Sequence, residues 1–537
     1  MRFRFIILFS FIYFNISSLP LLAQTEERVI LKNGGDYLES AERDGEKFQK
    51  LIGSPSNQVQ FVQKNTNIFG DSVYYFKDKN IVEVYGHVKI LEGDTITITG
   101  NKLIYDGNIK LAQLRENVVY KDPSMTIHTD FMDYDMQDKL AYYFNGGELV
   151  NEENRLTSVK GYYETDIKFA SFKDSVILVS PEYTLESDTL QYNTISQIAY
   201  TKGPTKVITN DGTVLNAREG LEYDTQQKQS LFQVSEIETE DYILKGDELF
   251  FDDIKKFYTA TTNVEMVSKD DNIIIYGDFG RYWKNEGLIK VYGNALMKKE
   301  VSLDTLYLSA DTLVSIEDSI PANKRILAYN NVKIFKTNLQ GKADSLAYHN
   351  LDSILYLYED PILWSDDNQI TADSINIEII NNAVNKMNST GNSFVVSQDT
   401  INNFNQIKGR DMIAHFKDSK IDKVDVIGNG ESIYYALEDD TVMVGMNKII
   451  CSNMLIKFKD AQIHTISFYT NPDASFFPPH EILEPDTRLG NFEGREEERP
   501  DKMDVLSNKK EIDSTLVPLE IEPLGMNEDQ RSEKQKK

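Results

Sequence analysis

The stretch "KGDELFFDD", residues 245–253, places an acid, an aliphatic and an aromatic residue at positions i, i+2 and i+4. The same order occurs in "ESDTLQYN" (186–193) and in "ADSLAYHN" (343–350). Residues two apart on a β-strand share one face, so the aliphatic and aromatic side chains of each copy point the same way. The recurrence predicts a repeated strand whose Leu and Tyr side chains form the buried face.

The acidic position recurs about every 30 residues, which gives thirteen copies if a degenerate one at Val159 is counted. The anchor positions are Asp71, Asn101, Asp130, Val159, Asp188, Glu219, Asp247, Asp278, Asp311, Asp344, Asp373, Asp411 and Asn453. Between them lie alternating runs opened by Gly or Asn, such as "GHVKI" (86–90) and "NNVKI" (330–334). Two strands per copy predict an all-β fold, an elongated stack of about thirteen two-strand repeats.

The N-terminus has the pattern of a secretory signal peptide. Arg2 and Arg4 precede the apolar run 5–14, and Ala23 offers a small residue for cleavage. The sequence predicts five segments. Residues 1–23 are a signal peptide, and residues 24–50 are an N-terminal lead-in with a short helix near 36–51. Residues 51–468 are the repeat array, which has the length of two or more fused units, residues 469–500 are a Pro/aromatic segment, and residues 501–537 are a disordered charged tail of low structure. The Pro/aromatic segment either caps the last layer or docks on a partner through Phe476, Phe477, Ile482 and Leu483.

The composition argues against several classes of function. The formal net charge is −28, and binding to nucleic acid needs a basic face. The six His residues are scattered, and Cys451 is the single cysteine, so the sequence offers no disulfide, no metal-ligand spacing and no nucleophile–base pair. We therefore expect a protein that is not an enzyme and that has no catalytic residues, bound metal or cofactor.

The unit "YGHVKILEGDTITITGNKLIYDG" (85–107), with "GNKLIYD" and "KGDELFFD" as its strand signature, resembles the OstA-like family. That family includes the periplasmic lipopolysaccharide-transport protein LptA and the N-terminal domain of the translocon LptD. The similarity covers about residues 50–468, a longer array than one LptA, and no β-barrel follows as in LptD. An OstA-like protein of the Bacteroidetes type fits these departures best. The resemblance implies an open β-jellyroll with an apolar groove, in which members carry acyl chains and join head to tail.

For this chain the resemblance implies a periplasmic protein that binds and transports lipopolysaccharide in outer-membrane biogenesis. The protein would be free in the periplasm or associated with the outer membrane. Its partners would be lipopolysaccharide or another envelope lipid, transport components that pair with edge strands, and further copies of itself. The lipid-groove candidates are Val73, Tyr75, Leu103, Tyr105, Met132, Tyr134, Leu190, Tyr192, Leu221, Tyr223, Leu249, Phe251, Tyr282, Leu346 and Tyr348. The alternative is a sealed core that binds no lipid, in a β-solenoid that serves as a structural scaffold or adhesin of the cell envelope.

Overall fold

The computed structural model describes residues 28–506, with gaps at 44, 152–153, 241, 270–271, 302–303, 381–382, 418–419, 440 and 460–461. The predicted signal peptide lies outside the described residues, and so do residues 507–537 of the predicted tail. The chain divides into two compact units. The first unit is Met1–Asn151 with Tyr162–Asp166, and the second is Glu152–Gly161 with Ile167–Lys537.

The first unit is built from short and medium β-strands. They are β1 (Ile30–Asn33), β2 (Tyr37–Arg43), β3 (Glu46–Ile52), β4 (Val59–Gln63), β5 (Thr66–Gly70), β6 (Ser72–Phe76), β7 (Ile81–Glu92), β8 (Ile96–Asp106), β9 (Leu111–Lys121), β10 (Thr126–Asp135), β11 (Leu140–Tyr143) and β12 (Gly147–Asn151).

The second unit is built from strands of 4 to 19 residues. They are β13 (Asn154–Ser158), β14 (Lys160–Glu164, which ends in the first unit), β15 (Phe169–Val179), β16 (Tyr183–Asn193), β17 (Ile198–Thr201), β18 (Thr205–Thr209), β19 (Val214–Ala217), β20 (Leu221–Asp224), β21 (Gln229–Glu238), β22 (Tyr242–Asp252), β23 (Phe257–Ser268), β24 (Ile273–Trp283), β25 (Leu288–Val301), β26 (Asp304–Ile316), β27 (Arg325–Lys336), β28 (Leu339–His349), β29 (Ile354–Tyr358), β30 (Ile362–Ser365), β31 (Asn368–Thr371), β32 (Ser374–Ile380), β33 (Ala383–Gln398), β34 (Phe404–Lys417), β35 (Lys420–Glu438), β36 (Val442–Lys459), β37 (Gln462–Tyr469) and β38 (Asp473–Phe477).

Paired strands run antiparallel, and several of the long strands bend at a β-bulge made of two residues with positive φ. In β25 these are Gly293 (φ 70°) and Asn294 (φ 49°), and in β33 they are Gly391 (φ 74°) and Asn392 (φ 47°). The register with the neighbouring strand shifts at the same places. The sequence runs opened by Gly or Asn therefore continue a bent strand and do not begin a new one.

The bends divide the strands of each unit into two half-sheets with an apolar core between them. The first half-sheet holds the i+2 and i+4 positions of each copy, and the second holds the residues beyond the bend. In one core of the second unit, Phe232 and Leu249 of the first half-sheet pack with Leu215 and Ile237 of the second half-sheet. Alternation of side chains along bent strands thus produces a sandwich-like core, as the all-β prediction requires.

Two predictions about the ends of the array are wrong. The expected helix near 36–51 is a hairpin, in which β2 pairs with β3 from Tyr37 opposite Ile52 to Arg43 opposite Glu46. This segment forms strands in spite of its helix propensity because β3 also pairs with β6, which makes the hairpin part of the sheet. The low-structure tail does not start at 501, because helix α1 spans Lys502–Leu506 and buries Val505.

Beyond β38 the chain has little regular structure until α1. It contains three short 3-10 helices, Pro479–Glu481, Glu484–Thr487 and Glu496–Glu498, and a further one, Pro321–Asn323, lies within the array. Over the part of the chain that the structure describes, no helix has the length and apolar character needed to cross a membrane.

Candidate functional site

The recurring acid of the repeat binds the bend of the following strand. The side-chain amide of Asn294 donates to Asp278 Oδ2 over 2.6 Å. The pairs Asn263–Asp247, Asn331–Asp311 and Asn392–Asp373 repeat this contact at 2.7, 2.8 and 3.1 Å. The anchor acid therefore fixes the β-bulge, which explains why an acid and an Asn or Gly recur in step.

Glycine is required in several bends because the anchor carboxylate occupies the space of a side chain. A Cβ built on Gly293 would lie 2.9 Å from Asp278 Oδ2, and one on Gly391 would lie 2.2 Å from Asp373 Oδ2. Both glycines have positive φ, where other residues are strained. Gly-Asn at the bend thus lets the carboxylate approach the backbone closely.

In the second unit most i+2 residues and their cross-strand partners form a buried row, which we term the inner row; the partly buried Gly280 lies in it between Ala260 and Val291. The row lies next to the bends, and its other members are nearly inaccessible to solvent. They are Leu190, Thr201, Leu221, Phe232, Leu249, Ala260, Val291, Leu313, Ala328, Leu346, Leu357 and Ile375. This row is the closed base of the space between the half-sheets.

Most i+4 residues of the second unit and their partners form a parallel row, the mouth row, which is only partly buried; Ile377, the i+4 residue of the Asp373 copy, is buried. The apolar members of the mouth row are Tyr192, Ala199, Tyr223, Phe251, Tyr258, Tyr282, Ile289, Ile326, Tyr348 and Leu355. Tyr223 and Phe251 pack against the core beneath them. The side chains therefore line an apolar surface that solvent or a ligand can reach.

Ring contacts join successive members of the mouth row. The ring centroids of Phe251 and Tyr258 are 5.1 Å apart, and those of Tyr258 and Tyr282 are 5.8 Å apart. Burial raises the pKa of Tyr223, and it raises the pKa of the neighbouring Tyr183 to about 12. These phenols are therefore uncharged at physiological pH, and the row presents an apolar aromatic surface with hydroxyl groups at its rim.

In the first unit the same two rows are sealed. The predicted groove residues there have exposed fractions of at most 5%, and they are Val73, Tyr75, Leu103, Tyr105, Met132 and Tyr134. Of the nine predicted in the second unit, Leu190, Leu221, Leu249 and Leu346 lie in the inner row, and the other five lie in the mouth row. Residues at the same position of the motif thus differ in burial between the two units.

The seal of the first unit consists of hydrogen bonds between its half-sheets. The Tyr75 hydroxyl donates to the Val29 carbonyl over 3.0 Å, and the Tyr105 hydroxyl donates to Gln63 Oε1. Gln63 in turn donates to the Gly107 carbonyl over 2.9 Å. Because polar groups close the mouth over the aromatic rings, the interior has no open apolar face here.

The alternate members of the mouth row were not predicted from the sequence. Tyr258 and Ile289 lie on strands between the anchored ones, directly opposite Phe251 and Tyr282. Their signal is weak because no acid precedes them at a fixed spacing. Cross-strand pairing, which becomes visible only once the register is known, would have found them.

The four predicted docking residues divide between buried and exposed positions. Phe477 and Ile482 pack against a cluster on the array. Phe476 and Leu483 have exposed fractions of 56% and 64%. The Pro/aromatic segment thus contacts the array with one side, and the other side faces solvent.

The described residues contain no group of three or more metal-ligating side chains. Cys451 is buried, and burial raises the pKa of its thiol. A buried thiol with a raised pKa is a poor nucleophile.

Residues 26–188 match the model of a protein family described as "OstA-like protein". This part of the chain is similar to the OstA-like family. The matched segment includes the sealed rows of the first unit and extends through the fifth anchor position, Asp188. The match agrees with the prediction of a non-enzymatic protein.

Among solved structures, the chain is similar to LptH from Pseudomonas aeruginosa, described as the LptA homologous periplasmic component of the conserved lipopolysaccharide transport device. The similarity covers 22% of this chain and 82% of LptH, with 13% identity and a TM-score of 0.20. No curated protein matches the chain. The all-β fold is evident from the strand pairing described above.

Proposed function

We propose that this is a periplasmic protein that binds lipopolysaccharide and helps to carry it to the outer membrane, with acyl chains lying against the mouth row of the second unit. The observation that carries the proposal is the partly exposed aromatic row from Tyr192 to Leu355 above a closed inner row. The OstA-like match of residues 26–188 supports it from the sequence side.

Apolar burial supplies the binding energy in this proposal. Each methylene group of an acyl chain that leaves water contributes about 0.8 kcal/mol, so a few chains on the mouth row suffice for tight binding. The net charge of −28 repels phosphorylated head groups at long range. Recognition is therefore of the acyl chains more than of the head group.

Location and partners follow from the same proposal. The predicted signal peptide would export the chain to the periplasm, the compartment named for LptH. Strand β37 pairs with β36, and an edge strand of this kind can accept a strand from another protein. The proposed protein partners are transport components of the envelope, or further copies of the chain joined head to tail.

The sealed rows of the first unit favour a second candidate function for that unit, a structural scaffold. Tyr105 and Tyr134 are as buried there as ordinary core residues. A side-chain-filled core binds no acyl chain. In this alternative the array is a support for envelope assembly, and the mouth row of the second unit carries no lipid.

Lipid titration with matched charge substitutions separates the two candidates. Phe251→Asp puts a charge in the mouth row, whereas Ile254→Asp puts one at an exposed turn of the same copy. We expect purified lipopolysaccharide to bind the wild type and Ile254→Asp equally, and Phe251→Asp at least about tenfold more weakly. Equal binding by all three, or none by the folded wild type, would favour the scaffold.

A further inference from the structure

The segment 479–506, which we term the strap, crosses the outer face of the second half-sheet in the second unit. Side chains on this face alternate with those of the core: Gln406 contacts the strap, whereas the adjacent Ile407 packs into the core. Likewise Phe394 faces the strap and Val395 faces the core. The strap therefore covers a surface separate from the mouth row, which we term the strap face.

Two glutamines of the strap face bind the main chain of the strap in the same way. Gln406 donates to the Thr487 carbonyl over 2.7 Å and accepts from the Leu489 amide over 2.8 Å. Gln369 donates to the Glu493 carbonyl over 2.8 Å and accepts from the Arg495 amide over 2.7 Å. Each carboxamide thus pairs with a carbonyl and an amide two residues apart, as a neighbouring β-strand would.

These glutamines are built into the face. Gln406 has an exposed fraction of 0% and Gln369 one of 7%. A third, Gln340, accepts from Arg499 Nε over 2.7 Å. Buried side-chain amides that hydrogen-bond to the main chain of an extended peptide require that conformation of the peptide. They do not restrict which side chains the peptide carries. This is the chemistry of a peptide-binding surface.

Apolar anchors add a second element of recognition. Leu489 and Phe492 of the strap pack into a cluster with Phe394 and Ile433 of the face. Trp364 lies in register between Gln340 and Gln369, is almost completely buried, and its indole Nε1 has no hydrogen-bond partner among the described residues. The face thus provides apolar sites and a donor that the strap leaves unused.

The charges of the strap and of its face are complementary. The strap carries nine Asp or Glu and four Lys or Arg residues. Lysines of the face contact it, with Lys342 Nζ 2.6 Å from Glu498 and Lys448 Nζ 3.5 Å from Asp486. A lysine-bearing face is notable in a chain with a net charge of −28. It favours an acidic occupant.

We propose that the strap face is a docking site for an acidic, extended peptide segment of a partner protein, and that the strap is its built-in competitor. The strap is attached through side-chain hydrogen bonds, ion pairs and few apolar anchors, without the continuous backbone pairing of the array. Such an element is released more easily than a strand. While docked, the strap has a high effective concentration at the face, so the partner binds once the strap is released.

The test uses the full chain and a labelled synthetic peptide with the sequence of residues 479–506 as the probe. A strap-release variant carries Leu489→Ser, Phe492→Ser and Arg495→Ala, which alter the strap and leave the face intact. By fluorescence anisotropy we expect this variant to bind the peptide at least about tenfold more tightly than the wild type. A peptide with the same three changes should not bind.

A variant of the face provides the control for location. Gln369→Ala with Gln406→Ala, added to the strap-release variant, is expected to lower peptide affinity at least about tenfold. If the folded strap-release variant does not bind the peptide, or if the glutamine changes leave its affinity unaltered, the proposed site is wrong.

Hydrogen exchange of the unmodified protein gives a second test that needs no variant. The amides of Leu489 and Arg495 are bonded only to side chains of the face. We expect them to exchange at least about tenfold faster than the amide of Ile433 in the strand beneath. Equal rates would mean that the strap opens only with the array, and this would overturn its role as a competitor.

Discussion

The side-chain amide of Asn294 lies 2.6 Å from Asp278 Oδ2, across the point where β25 bends. The contact joins the acid of one strand to the left-handed residue of the next, and three further copies of the second unit repeat it. Each bend directs a strand from one half-sheet to the other. The acid of the repeat therefore determines the shape of the bend and belongs neither to the inner row nor to the mouth row.

Removing this acid should destabilise its bend. We expect Asp278→Ala to lower the free energy of unfolding by about 1 kcal/mol, because the Asn294 amide loses a charged acceptor. Urea denaturation measures the change. Glu286→Ala, at an exposed turn of the same copy, is the control and should have an effect within about 0.5 kcal/mol. Equal effects of the two would show that the anchor contact contributes nothing specific.

Truncation of the inner row should be far more costly than truncation of a turn. Leu249 has an exposed fraction of 0%, whereas that of Ile254 is 64%. Leu249→Ala is expected to cost about 2–5 kcal/mol through lost burial and a cavity, and Ile254→Ala less than about 0.5 kcal/mol. Thermal and urea unfolding of both variants test this, and a mild effect at Leu249 would contradict a closed base.

The seal of the first unit predicts a difference between two conservative substitutions. Tyr105→Phe removes the hydroxyl that binds Gln63 and leaves a buried acceptor without that donor, at a cost of about 1–3 kcal/mol. Tyr223→Phe, in the partly exposed mouth row, should cost less than about 0.5 kcal/mol. Denaturation curves that show the reverse order would mean that the mouth row is the sealed one.

Acid should weaken the docking of the strap. Hydrogen bonds from Arg495 and Lys342 hold the pKa of Glu498 at about 2, below its ordinary value of 4.5. The ionised carboxylate of Glu498 therefore stabilises the docked strap. This stabilisation is fully present above pH 4.5 and is lost as the pH falls toward 2. In a Trp283→Phe background, acrylamide quenching of Trp364 reports whether the face is covered.

The matched variant for the acid effect is Glu498→Gln. At pH 7 we expect stronger quenching of Trp364 in Glu498→Gln than in its parent, and the difference should vanish as the pH approaches 2. A difference that stays constant over this range would show that the ionisation of Glu498 does not govern docking.

The periodic acid, aliphatic and aromatic residues predicted the all-β class and the repeated strands, because strand periodicity is a local property of the sequence. They could not separate Tyr105 from Tyr223, since both occupy the same position of the motif. Whether such a residue is sealed depends on Val29 and Gln63, which lie distant in sequence from the tyrosines they bind. Closure of the mouth is thus a tertiary property.

The hairpin of β2 and β3 and the strap show the same limit. The residues of the hairpin have a helix-like composition, yet their pairing with β6 determines their structure. The strap has no periodicity, and the glutamines that bind it lie 81 to 159 residues away along the chain. Patterns within one segment cannot reveal such contacts.

The most direct test of the central claim is site-specific photo-crosslinking in living cells. A photoreactive amino acid is placed at Tyr223 or Phe251 in the mouth row, and at Tyr105 in the sealed row as the control. We expect lipopolysaccharide adducts at Tyr223 and Phe251 and none at Tyr105. Folded, abundant protein without adducts at Tyr223 and Phe251 would contradict a lipid path on the mouth row and favour the scaffold.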